Sequence, residues 1–156
     1  MDTATRTELI RRYREGYSVV EKALAGASTD ALDRADADGW TARQVAHHLA
    51  DSEMTSALRL RKLLAEPNPV IYGYDEEAFA RSLHYGARPI EASLLAFRAA
   101  RESTATLFEF LSEHDWARSG WHTESGPYSV ETWLEIYAAH AHDHAAQISR
   151  ALGASR

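Results

Sequence analysis

The segment Trp133-Leu-Glu-Ile-Tyr-Ala-Ala-His-Ala-His-Asp-His-Ala-Ala-Gln-Ile148 decides how this chain is read. Trp133, Ile136, Tyr137, His140, His144, Ile148 and Ala151 recur at the spacing of one helix face. Two histidines therefore stand one turn apart on a stripe that is otherwise apolar. His142 lies about 160° around the helix from both and is expected to face solvent. A buried imidazole nitrogen without a partner costs on the order of 1–3 kcal/mol, so both rings need partners. Carbonyls or carboxylates in the core would serve, and so would a metal ion shared by the two rings. Spacing alone leaves both readings open, with a surface position from a shifted helix phase as the third.

Outward from this segment, Ser129 caps the helix, which runs to about Leu152 and stops at Gly153. Three more long segments carry helical periodicity. The first spans Thr5 to Ala25, with Leu9, Tyr13, Tyr17, Val20 and Leu24 on one stripe, and ends at Gly26. A polar stretch from Ser28 to Gly39 follows, with room for a single turn at Ala31–Arg34. The second begins at Thr41, where Gln44 completes the spacing of a capping box and Trp40 stands as a hydrophobic staple. It continues through Val45, Leu49, Ala57, Leu60 and Leu64 and is over by Pro67-Asn-Pro69. A loop from Val70 to Asp75 leads into a short helix near Glu76 to Leu83. Pro89 suits the first turn of the third long helix, which reaches about Leu111 through Leu94, Leu95, Phe97, Leu107 and Phe108. Ser112 to Tyr128 is irregular, with a hairpin-like loop at Gly120–Gly126. The expected architecture is an all-α, four-helix bundle forming a single domain over residues 1–156. The long connections between helices 2 and 3 and between 3 and 4 should lie over one end.

Composition narrows the function. The chain has no cysteine, which removes disulfides, thiolate ligands and a cysteine nucleophile together and suits a cytoplasmic protein. No apolar run approaches the ~18 residues of a membrane helix, and the N-terminus lacks the apolar core of a secretory signal. The net charge is −6, with acids and bases interspersed. A basic face for nucleic acid is missing, and Arg59-Leu-Arg61-Lys62 reads as a solvated helix face.

In the second helix His47 and His48 point about 100° apart, so one of them at most joins a core cluster easily. Val45, Leu49 and Ser52 flank His48, whereas Ala46, Ala50 and Met54 flank His47, and periodicity does not decide between them. Asp51 and Ser52 lie one turn on, where a side chain can orient a ring through its second nitrogen, and a solvated role near the N-terminal end of the helix is the alternative for Asp51. His122 reads as an exposed loop residue, with a substrate-facing role as the alternative. His84 and His114 carry no signal.

These residues resemble a known family. Gly39-Trp-Thr-Ala-Arg-Gln-Val-Ala-His-His-Leu-Ala-Asp-Ser52 is similar to the second-helix signature of the DinB-like superfamily, in particular its YfiT-like branch. Tyr74-Asp-Glu76, Trp121-His-Thr-Glu-Ser-Gly126 and Leu134-Glu-Ile-Tyr-Ala-Ala-His-Ala-His-Asp-His144 extend the similarity in order, from about Thr29 onward. The resemblance implies an up-down-down-up bundle, often a homodimer. It also implies one divalent metal ion, zinc or nickel, held at one end by His48, His140 and His144, with His47 outside that set. Relatives often carry another histidine where Asp143 stands, and some have a longer N-terminal segment.

Three imidazoles leave positions on a metal open, and such a site suits zinc, nickel, cobalt or iron(II). The first function this suggests is hydrolysis, with the metal lowering the pKa of water for attack on an ester or amide of a small-molecule substrate. Glu53, Asp51, Asp143 and Tyr137 are then the candidates for moving protons. The second is S-transfer, the reaction linked to relatives that use bacillithiol or mycothiol. A chain without cysteine must take its thiol from a low-molecular-weight cosubstrate, bound by Arg88, Tyr72, Tyr74 and His122 in the loops. The third is a non-catalytic metal-binding interaction module, which requires a closed coordination sphere. Trp116 and Trp121 suit either a dimer interface or the packing of a loop on its own bundle.

Overall fold

The computed structural model describes residues 1–37 and 39–153. Asp38 in the polar stretch and the last three positions of the expected domain lie outside them. Four long helices, α1 (Thr3–Leu24), α3 (Ala42–Ala65), α5 (Glu91–Ala105) and α7 (Val130–Ala151), make the bundle. Three short helices, α2 (Thr29–Leu32), α4 (Glu76–Ser82) and α6 (Glu113–Trp116), lie in the connections. Side chains of Asp2, Thr41 and Ser129 cap α1, α3 and α7, and Thr41 forms the reciprocal capping box with Gln44. The third long helix is shorter than expected. It begins after Ile90, so Pro89 precedes it, and from Thr106 to Phe110 it tightens into a 3-10 turn.

Contacts along the helices fix their directions. The amino group of Met1 and the guanidinium of Arg6 pair with Glu131 at the start of α7, while Leu24 packs in one cluster with Ile148 and Ala151 at its end. Helices α1 and α7 therefore run parallel. On α3 and α5, His47 meets Ser93, Glu53 meets Arg101, and Arg61 meets Thr104, so these two also run parallel. His48 on α3 faces His140 and His144, whereas Ser56 lies beside Trp133, which sets α3 antiparallel to α7. The order is up, down, down, up.

Parallel α3 and α5 require a connection that returns along the bundle. It begins with β1 (Val70–Ile71), a strand in what reads as loop from the sequence. β1 pairs in parallel with β2 (Ser119–His122), which forms a hairpin with β3 (Gly126–Ser129). The Gly120–Gly126 region is thus a hairpin, and it borrows a third strand from the crossover. Past β1 the chain turns into α4 and crosses the mouth of the bundle near the start of α3, where Glu77 accepts a hydrogen bond from Trp40 Nε1 at 3.1 Å.

Two apolar clusters fill the interior. One gathers Val20, Leu49, Phe97, Ala141 and Ile148; the other gathers Tyr13, Leu60, Phe108, Trp133 and Leu134. Between them on the same helices lies a polar layer of Ser52, Glu53, Ser56, Arg101 and Thr104, all buried. Glu53 is fully buried and pairs with Arg101 and the hydroxyl of Tyr13. Arg101 also donates to the carbonyls of Tyr13 and Tyr137, both at 2.7 Å, and lies over the Tyr13 ring. The guanidinium crosses so close to α1 that a Cβ at Gly16 would stand 2.4 Å from Arg101 Nε, which requires glycine there.

Two residues of α7 depart from the sequence reading. Ile136 is 44% exposed, while Leu134, Ala138, Ala141 and Ala145 are buried instead. His142 does not point freely into solvent; it is half-buried against α1, with Nε2 3.0 Å from the Arg12 carbonyl. Trp116 is buried beneath Arg6 and beside Phe108, packing its loop on the bundle, while Trp121 is exposed at the sheet.

Candidate metal centre

His140 and His144 project from α7 toward His48 on α3. Ring centroids lie 4.5 Å apart for His140–His144, 4.7 Å for His48–His144 and 5.3 Å for His48–His140. One nitrogen from each ring falls within 4.8 Å of the other two, and His48 Nε2 and His140 Nε2 are 3.3 Å apart. His47 turns the other way. Its Nε2 must donate to the Arg88 carbonyl at 3.1 Å, so its Nδ1 accepts from Ser93 Oγ at 2.7 Å. The choice that periodicity left open thus goes to His48.

Among the described residues, no main-chain carbonyl or carboxylate hydrogen-bonds to any of the three rings, so the ordinary way of satisfying core histidines is not used. His140 Nδ1 is buried with no partner. Burial first, then the neighbouring imidazoles, drives the His140 pKa down to about 2. Burial, then His144, takes His48 to about 4, and His144 is lowered mainly by burial. All three rings are neutral near pH 7 and offer lone pairs. An ion with tetrahedral bonds of about 2.0–2.1 Å spaces its ligand atoms by about 3.3–3.4 Å, which matches the His48–His140 nitrogens. The residues fit a divalent transition metal.

His144 Nδ1 lies 2.8 Å from Gln147 Oε1. An amide oxygen only accepts, so Nδ1 carries the proton and Nε2 keeps its lone pair for the centre. Gln147 is held in turn by donating to Asp36 at 2.9 Å, and Asp36 accepts from the Trp40 amide. The loop before α3 thereby sets the tautomer of a ring on α7. Gln147→Ala is expected to weaken metal affinity about 10- to 100-fold without unfolding the protein, as read by competition with a chromogenic chelator.

A cavity of about 240 Å³ opens beside the histidines, lined by Trp40, His48, Glu76, Glu77, His144 and Gln147. A larger groove of about 480 Å³ runs between α1 and α5 past Arg14, Tyr17 and Arg98, away from the three rings. The four substrate candidates line neither. His122 is buried rather than exposed, and its Nδ1 accepts from the amides of Glu124 and Ser125. The Arg88 side chain folds back onto the Leu83 carbonyl. Tyr72 is exposed, and Tyr74 packs on Phe79 beneath Arg59.

Three of the four proton-transfer candidates are engaged elsewhere, and the fourth faces solvent. Glu53 is locked to Arg101, Asp51 accepts from the Tyr85 hydroxyl at 2.5 Å, and Tyr137 accepts from Arg59 at 3.0 Å. Asp143 is exposed and does not line the cavity. Glu77 and Gln147 had no assigned role in the sequence, and Glu76 entered only as the end of the Tyr74-Asp-Glu76 similarity.

A bundle that turns three neutral imidazoles from antiparallel helices onto one point defines a class of helical proteins with an open candidate metal centre. Within that class, the chain belongs to the DinB superfamily, whose family model matches residues 12–148. A protein of Oceanobacillus iheyensis named "Putative metal-dependent hydrolase" is 43% identical over 111 residues, 71% of this chain and 64% of that one. The match thus spans less than two thirds of that relative. A similarly named protein of Bacillus mycoides is 32% identical over 148 residues, 91% of this chain and 84% of its own. The solved structure of YfiT from Bacillus subtilis is described as a probable metal-dependent hydrolase with an unusual four-helix bundle topology. It superposes with a TM-score of 0.91 at 29% identity, covering 99% of this chain and 91% of that one.

Proposed function

We propose that this chain is a metal-dependent hydrolase acting on a small-molecule substrate, with His48, His140 and His144 holding one divalent ion. The observation that carries the reading is the 3.3 Å approach of two neutral, deeply placed imidazole nitrogens, with the third nitrogen close by. The names of the relatives point the same way. A divalent ion bound there supplies Lewis acidity, which makes water acidic enough to be deprotonated near neutral pH. The chain's own contribution is to keep the three rings unprotonated, to fix the His144 tautomer through Gln147, and to leave a cavity beside them for substrate. That cavity's size favours a small molecule over a polymer.

Zinc and nickel both suit three imidazoles, and the proposal extends to either. It extends also to one domain working in the cytoplasm, in keeping with the absence of cysteine; no helix among the described residues is long and apolar enough to cross a membrane. Homodimerisation would use the exposed apolar edge where Val70 pairs with Trp121, next to exposed Tyr72. S-transfer is the second reading, but Glu76 and Glu77 at the cavity would repel a thiolate cosubstrate.

The test is turnover of an activated ester by chelator-stripped protein reloaded with zinc or nickel. Metal-dependent turnover that is lost in His144→Ala supports hydrolysis. Turnover only after a low-molecular-weight thiol is added would replace it with S-transfer.

A further inference from the structure

We propose that Glu76 is the acid–base residue of this centre; the assignment rests on the hydrolytic reading above. A hydrolase needs a group that takes a proton from water and returns it to the leaving group. That group must face the space where water and substrate meet. The cavity beside His48 and His144 contains two carboxylates, Glu76 and Glu77. Glu77 is committed, since it accepts from Trp40 Nε1 and pairs loosely with Arg81. Glu76 carries no hydrogen bond or ion pair among the described residues. It lines the same cavity as His144.

Glu53, Asp51 and Tyr137 are occupied by Arg101, Tyr85 and Arg59, and Asp143 lies outside the cavity. An acid in the first turn of a helix is ordinary on stability grounds. What distinguishes Glu76 is that its carboxylate is unengaged and borders the candidate metal centre. Its position follows from the topology, because the crossover that joins parallel α3 to α5 must pass this end of the bundle and lays α4 against it.

For an ester, Glu76 takes one proton from water as the water oxygen bonds to the carbonyl carbon. The bond from that carbon to the alkoxy oxygen then breaks. The Glu76 carboxyl returns its proton to the departing oxygen, giving acid and alcohol and restoring the carboxylate.

The direct test does not depend on turnover. Acetohydroxamic acid binds a metal as its anion, so at a pH below the ionisation of the bound water it displaces, its proton must go either to the protein or to the buffer. Calorimetric titration of zinc-loaded protein in two buffers of different ionisation enthalpy reads where it goes. The native protein should show a buffer-independent enthalpy, because Glu76 keeps the proton. Glu76→Gln, at unchanged zinc content, should release about one proton to the buffer and lower kcat for the activated ester about 10²- to 10⁴-fold. Identical proton release in the two proteins, or no hydroxamate binding to either, would overturn the assignment. If the native protein binds hydroxamate with the proton retained but turns over no ester, hydrolysis falls while the placement of the proton on Glu76 stands.

Discussion

Arg101→Met should destabilise the protein by about 3–5 kcal/mol, measured by urea unfolding followed by far-ultraviolet circular dichroism. The guanidinium is 2% exposed and its partner Glu53 is fully buried. Removing Arg101 leaves a carboxylate in the interior with only hydroxyl partners, Tyr13 and Ser56. It also removes the second donor of the Tyr13 and Tyr137 carbonyls, which keep their bonds within α1 and α7. A small domain is stable by about 5–15 kcal/mol in all, so this is a large fraction of the total. The double variant Glu53→Met with Arg101→Met should recover much of the loss, because the uncompensated charge goes with its partner. A single variant within about 1 kcal/mol of the native protein would mean that the polar layer is wet and loosely held.

The second large effect is a reversal of sign at His140. In chelator-stripped protein the ring is an expense to the fold. The residue is half-buried, its Nδ1 is buried without a partner, and its Nε2 faces another neutral imidazole. His140→Leu should therefore leave the stripped protein as stable as the native one or make it up to about 1–3 kcal/mol more stable. With metal the order inverts. The native protein gains about 2.7 kcal/mol when free ion reaches 100 times its dissociation constant, and the variant gains little. Thermal melts of both proteins with chelator and with zinc give the four values. A destabilised His140→Leu protein in chelator would show that the ring serves packing. An equal gain with zinc in both proteins would show that His140 does not bind it.

The helices were legible because each carries a local signal. The Thr41–Gln44 capping box and the stripe through Trp133, Tyr137, His140 and His144 involve residues within a few turns of one another. The up-down-down-up order came from the resemblance alone, since periodicity says where helices are and not which way they run. β1 was missed because two residues give no alternation to detect, and Val70–Ile71 become a strand only by pairing with Trp121 and His122. That same pairing is why His122, which looked like a loop residue, is buried.

The site divides in the same way. The rings of His140 and His144 share a helix face, and the sequence places them together. The Glu53–Arg101 pair joins residues 48 positions apart, so nothing in the order of the chain ties them, and Glu53 looked free to move protons. Gln147 acts through a ring one turn away and through Asp36 on a distant loop, a role visible only in three dimensions. Glu76 was hidden for a related reason, because its place beside the histidines is set by the path of the crossover.

The most direct measurement is a calorimetric titration of zinc into the stripped protein, repeated on a variant with His48 and His140 both replaced by alanine. One ion per native chain is expected, with no saturable binding by the variant, whose circular dichroism should remain that of a folded helical protein. Absence of saturable binding by the native chain, or the same stoichiometry and affinity in the variant, would contradict it.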